Sequence, residues 1–160
     1  MSKCGLDPIN RLLPQLRFAN EVSAYGAIYD FVRKVTTDTH DVRPLVLFGE
    51  RACGKSRLAS AILDALGRDT ANVFQGGLTR QTLKCFHRYV QDAYFKNCGI
   101  TILRDFRKGD IEHFNSVAYD LRFRRAGLIV ETSDFDFAVR IDSNVNVDAV
   151  VFVGVNHERI

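Results

Sequence analysis

Proline is scarce, with 3 in 160 residues, and Pro8, Pro14 and Pro44 all precede the central body of the chain. That scarcity excludes a Pro-rich linker or a collagenous chain, and 46% apolar with 26% charged residues excludes a disordered one. The four cysteines, Cys4, Cys53, Cys85 and Cys98, have no CxxC spacing. His40, His87, His113 and His157 form no His-x-x-x-His pair and no Ser-His-Asp or Cys-His arrangement. A local zinc site, a redox dithiol and a hydrolytic triad are therefore not written in the chain, and free thiols in a reducing compartment are expected. No apolar run approaches the ~20 residues that span a bilayer. The stretch from Met1 to Pro8 also lacks the apolar core of a secretory signal, so the expectation is a soluble intracellular protein without membrane contact. Neither charge sign dominates: 22 Lys+Arg against 19 Asp+Glu leave +3, which permits a polyanionic partner without requiring one. Repeats and low-complexity tracts are absent, and the length suits about one domain with its own core.

What is present is a regular alternation of apolar patterns. Phe18, Val22, Tyr25, Tyr29 and Val32 recur at steps of three and four, predicting one helical stripe between Phe18 and Val35. Residues 1–43 thus read as an N-terminal helical segment and linker, and residues 44–160 as the main body. Leu45-Val46-Leu47-Phe48 is a short apolar run of the kind found in strands covered on both faces. Leu58, Ala59, Ile62, Leu63 and Leu66 then take up a helical period that Gly67 is suited to end. Further strands are expected at 71–74, 100–103, 127–132 and 149–153, and helices at 78–96 and 110–122. Phe135, Phe137, Val139 and Ile141 alternate, leaving another strand open there. Five apolar strands mostly separated by helices predict an α/β three-layer sandwich on a largely parallel five-stranded sheet.

Between the first of these strands and its helix lies Gly49-Glu50-Arg51-Ala52-Cys53-Gly54-Lys55-Ser56, which satisfies G-x-x-x-x-G-K-[ST]. Such a loop wraps backbone N–H groups around phosphate oxygens, its glycines relieve steric limits, and the helix N-terminus adds positive potential. A chance glycine-bearing turn is the alternative, against which the strand before and the helix after weigh. Residues 49–56 with Arg57 are the expected nucleotide contacts, with Lys55 reaching the β and γ phosphates and Ser56 binding Mg²⁺. Cys53 lies beside the helix start, where a thiolate is favoured, although a small buried filler is the plainer reading. A P-loop also needs a carboxylate at a neighbouring strand end, and Ile100-Thr101-Ile102-Leu103-Arg104-Asp105 offers Asp105 for Mg²⁺. At the next strand, Glu131-Thr132-Ser133-Asp134 puts Thr132 and Ser133 where they sense a γ-phosphate or orient water, or else form a turn.

From Leu45 to about Val155 this order resembles the AAA+ type of P-loop ATPase, and within it the viral superfamily 3 helicases and Rep-type ATPase domains. The resemblance takes 49–56 as Walker A, 100–106 as Walker B and 128–134 as the motif C or sensor strand. It implies strand order 5-1-4-3-2, an Mg²⁺-dependent ATPase, and a homo-oligomer, a hexamer for instance, whose neighbour supplies an arginine. Arg159 and Arg140 are the candidates for that arginine. Two departures stand out: Asp134 replaces the usual Asn of motif C, and Arg104-Asp105-Phe106 has one acid where two are common. Asp110 and Glu112 are possible substitutes. The chain ends at Ile160 with no lid after the last strand, as in the lidless viral group or in a piece of a longer chain.

Charge is polarised along the sequence. Residues 76–98 carry a net +3, Arg122, Arg124 and Arg125 cluster ahead of the sensor strand, and residues 131–148 carry a net −4. In a ring helicase the arginine cluster would touch the phosphates of a threaded strand, whereas a solvated helix end would explain it equally. The leading expectation is an ATPase coupling hydrolysis to unwinding or translocation of nucleic acid, single-stranded by preference, in replication or packaging. If the chain is viral, the host nucleus or cytoplasm follows. The rivals are a small-molecule P-loop kinase, disfavoured by Ala52 where such kinases carry Gly, and a nucleotide-binding assembly module with little turnover.

Overall fold

The computed structural model describes residues 5–36, 43–66, 72–75, 100–104, 127–134, 136 and 148–155, with the backbone alone at 72–75, 101 and 155. Helix α1 (Asp7–Leu12) opens on Pro8, whose fixed φ suits a first helical turn, and runs into a short 3₁₀ turn (Leu13–Gln15). Strand β1 (Leu16–Phe18) follows, burying Leu16 and Phe18 and exposing Arg17. The Asn20 side chain accepts the Ser23 amide at 3.1 Å, which starts helix α2 (Glu21–Thr36). The remaining elements are β2 (Leu45–Phe48), α3 (Lys55–Ala65), β3 (Asn72–Gln75), β4 (Ile100–Arg104), β5 (Gly127–Thr132) and β6 (Asp148–Val155).

The sheet has six strands in the order β1-β6-β2-β5-β4-β3. The five parallel strands, β6-β2-β5-β4-β3, follow the expected 5-1-4-3-2, and the whole order departs from it by β1, an edge strand that the helical reading of residues 1–43 did not contain. The β2, β3, β4, β5 and β6 pairings are all parallel, while β1 runs antiparallel to β6 with Leu16 opposite Val155 and Phe18 opposite Phe152. The predicted helices at 78–96 and 110–122, and the open strand near 135–141, lie outside the described residues, apart from Asp136.

Register decides which side chains share a face. Leu45 stands opposite Ile129, and Ile102 opposite the same residue on the other side, so these three point one way. They join one apolar cluster with Ile28, Phe31 and Val32 of α2 and Leu58 and Ile62 of α3. Val46, Leu103, Leu128 and Val130 point the other way and are also at most 2% exposed. Burial on both faces is what a parallel sheet requires, and it explains why these strands are uninterrupted apolar runs. Helix α1 packs on α3, and the Gly5 amide donates to the Ala65 carbonyl at 3.1 Å. Ile9, Leu12, Leu13 and Leu16 consequently belong to the same cluster as the sheet. Among the described residues no helix is long and apolar enough to cross a membrane.

The N-terminal stripe needs correction. Phe18 is in a strand, Val22 is 85% exposed, and the buried face of α2 is Ala24, Ile28, Phe31 and Val32. The helix begins only after the Asn20 cap, so its phase is set there and not by the aromatic residues. Replacing Ile28, which is fully buried, with Ala should lower the unfolding free energy by roughly 2–5 kcal/mol. Val22→Ala should change it by less than about 0.5 kcal/mol, as both urea titrations would read.

Candidate functional site

Strand β2 lies inside the sheet, and its C-terminal end is where the chain must leave the sheet and turn into α3. The turn begins with the Gly49 amide donating to the Thr132 carbonyl at 3.2 Å, which extends the pairing with β5 by one residue. A side chain at Gly49 would bring its Cβ to 2.7 Å from Cys53 Sγ and 2.8 Å from Phe152 Cβ, so the position tolerates only glycine without displacement. Ala52 then takes a left-handed φ of 59° and Gly54 a φ of 106°. Leu16 of β1 closes over Gly54, where an added Cβ would lie 2.5 Å from Leu16 Cδ2. The loop is thus held from beneath by β6 and flanked by the N-terminal segment.

Gly54 is the N-cap of α3, so no cap side chain satisfies the first-turn amides, and that turn holds no acidic residue. Exposed amides and an uncompensated helix dipole at one place constitute an anion-attracting end. Lys55 Nζ donates to the carbonyls of Gly49 and Glu50, the second at 3.0 Å. Its ammonium has three donors, so two can brace the loop while one serves a bound anion. Glu50, Arg51 and Ala52 are exposed along the loop. Cys53 is 5% exposed and packs in the apolar cluster, in keeping with the filler reading of this thiol. Arg57 is exposed and donates to Gln15 Oε1 at 2.8 Å.

The exposed Ser56 reaches back to the sheet, its Oγ donating to Glu131 Oε1 at 2.7 Å. Glu131 is only 4% exposed, and its other oxygen accepts from Arg104 Nε at 3.1 Å. Arg104 and Glu131 are direct partners in the β4–β5 register, so one face of the sheet carries a cation and an anion side by side at the strand ends. The buried carboxylate is balanced by a guanidinium and a hydroxyl, as burial of a charge demands. Sequence reasoning passed over Glu131 as a site residue. The available signal was a single acid closing an otherwise apolar run, Leu128-Ile129-Val130.

Thr132 is buried, and its Oγ1 accepts the Asp134 amide at 3.1 Å, forming the turn that ends β5. Ser133 is exposed just beyond it. Asp105, Arg159, Arg140, Asp110, Glu112, Arg122, Arg124 and Arg125 lie outside the described residues. A groove of about 570 Å³ between α1 and α3, lined by Arg11, Gln15, Ser60 and Asp64 among others, opens beside Ser56 and Arg57.

No protein-family model matches the chain, and no curated protein does. Solved structures do match. A chain of the E. coli MS115-1 HORMA–CdnC–Trip13 complex aligns with a TM-score of 0.57 at 16% identity, covering 91% of this chain and 63% of that one. PCH-2 from C. elegans aligns with a TM-score of 0.56 at 13% identity, covering 91% of this chain and 46% of PCH-2. This chain therefore spans less than two thirds of either. At these identities the likeness is one of fold alone: the chain shares its α/β fold with these two structures.

The loop's dependence on Gly54 is testable. A left-handed residue with a Cβ carries a penalty of about 1–2 kcal/mol, and Gly54→Ala must also displace Leu16. Gly54→Ala should lower stability by at least that amount in urea titrations. Adding Leu16→Ala should relieve the clash but not the backbone strain, so the two substitutions should be non-additive.

Proposed function

We propose that this chain is a Mg²⁺-dependent module that binds and hydrolyses ATP. The observation that carries the reading is the turn 49–54 between a buried parallel strand and α3, with Lys55 braced across it and uncapped helix amides at its mouth. Donors of this kind recognise the β and γ phosphates of a nucleotide, and Lys55 would oppose the charge that develops during phosphoryl transfer. The oxygen of Ser56 at the start of α3 suits a hard cation. Among the described residues there is no cluster of three His, Cys, Asp or Glu side chains. Mg²⁺ would neutralise phosphate charge there. Asp105 is the acid proposed from the sequence to act with Ser56, and Thr132 or Ser133 would sense the phosphate.

The narrower reading is a homo-oligomeric machine, of the superfamily 3 type in its closest form, that couples turnover to single-stranded nucleic acid. The basic cluster Arg122, Arg124 and Arg125 supports it, and Arg159 would complete a neighbour's site. A second reading is favoured by Arg104: a cation at the end of β4, where the family carries acids, suits a module that binds ATP and turns it over slowly.

Lys55→Ala removes a charged donor worth roughly 1.5–3 kcal/mol. ATP affinity by isothermal titration should therefore fall by about ten- to a hundredfold, and phosphate release should vanish. Unchanged affinity in folded Lys55→Ala protein would remove the phosphate-cradle reading. Phosphate release by the unaltered chain, with no acceptor present, separates an ATPase from a kinase and from the binding module.

The oligomeric reading has its own test. Specific activity should rise with protein concentration and with added single-stranded DNA or RNA. Arg159→Ala should lower turnover with ATP binding intact, and mixing in Lys55→Ala protein should restore part of it in trans. A monomer by light scattering with a concentration-independent rate would overturn this arrangement.

A further inference from the structure

Among the described residues Glu131 is the only buried charged side chain, and it does not sit in a private ion pair. One oxygen faces Arg104 of β4, and the other accepts the hydroxyl proton of Ser56, the residue expected to meet the cation. A serine hydroxyl has one proton and two lone pairs, and it can offer a lone pair to a cation only if its proton has somewhere else to go. At 2.7 Å, Glu131 Oε1 is that acceptor. The carboxylate also answers a problem of charge. Arg104 ends the strand from which an acid is expected, and an unopposed guanidinium there would repel a divalent ion. Glu131, directly opposite in the β4–β5 register, neutralises it.

Resting on the reading that ATP binds at residues 49–56, we propose that Glu131 is the positioning residue for the divalent cation. It accepts the Ser56 O–H hydrogen bond, the proton staying on Oγ, so that the Ser56 oxygen presents its lone pairs to Mg²⁺, and Arg104 anchors it from the adjacent strand. A carboxylate that supports the cation thus comes from β5, beside the loop strand. Outer partners that fix the orientation of a metal ligand typically change metal affinity by about 10–100-fold when lost.

The test measures ATP affinity of the full chain by isothermal titration in Mg²⁺ buffer and in EDTA, the ratio being the magnesium enhancement. Glu131→Gln should reduce that ratio by about tenfold and leave the EDTA affinity unchanged. Ser56→Ala should also reduce the ratio, and the double variant should lose no more of it than Ser56→Ala alone, since both act through one contact. Mn²⁺ binding to the ATP complex, followed by the electron paramagnetic resonance signal of free Mn²⁺, should weaken in parallel. If Glu131→Gln does not fold, Glu131→Asp keeps the charge beside Arg104 but withdraws the carboxylate from Ser56. It should lower the ratio by a smaller factor. A full magnesium enhancement in Glu131→Gln or Glu131→Asp would overturn the assignment to Glu131. Failure of the unaltered chain to bind ATP in either buffer is a different outcome: it removes the nucleotide reading itself, and this inference with it.

Discussion

The tight exit of the chain from β2 into α3 is the constraint on which the rest of the molecule depends. Gly49 must lie against Cys53 and Phe152, and Gly54 must turn left-handed under Leu16, so the loop has contacts below and to one side before any ligand arrives. Those contacts come from opposite ends of the sequence. Phe152 belongs to the last described strand and Leu16 to the first, and they meet because β1 pairs with β6. The aromatic edge of this join is closed by Phe18, whose ring lies 5.1 Å from that of Phe152 and 6.0 Å from that of Tyr25. The N-terminal segment is thereby part of the loop's support and shares its hydrophobic core.

The second organising element is electrostatic. A buried carboxylate inside an apolar sheet is unfavourable unless every oxygen is answered, and Glu131 is answered twice, by Arg104 and by Ser56. This links three elements, β4, β5 and α3, at the strand ends where the loop opens. The positive character of the loop, from Lys55 and the α3 amides, stands next to a site whose charges already cancel. Under the proposed reading, a polyphosphate would meet the positive potential of the loop without having to displace an ion pair.

Much of this architecture was legible locally. Leu45–Phe48 reads as a strand because it is apolar without interruption, and the period of Leu58, Ile62 and Leu66 marks α3 because those residues fall on one face. The glycines at 49 and 54 could be read for the same reason: the positions that forbid a Cβ are visible as residue types. What could not be read depends on partners distant in sequence. Strand β1 is three residues long and exists because β6 lies alongside it, some 135 positions later. The burial of Ile28 in place of Val22 follows from where the Asn20 cap starts the helix, which the spacing of aromatic residues does not register. Glu131 acquires its meaning from strand order. Only when β5 lies between β2 and β4 does its side chain stand between Ser56 and Arg104.

The edge of the sheet has a consequence of its own. β6 is eight residues long, pairs with β2 through Asp148–Val151, and turns its other side toward the sheet boundary. Val151 and Val153 along it are 38% and 59% exposed. An unpaired row of N–H and C=O groups beside exposed valines is the template on which another chain can add as a strand. The three residues of β1, with the Ala19 amide on the Val151 carbonyl, close that row, and the irregular register between Arg17 and Phe18 makes β1 itself a poor template in turn. The short N-terminal strand therefore acts as a stopper against edge-to-edge association.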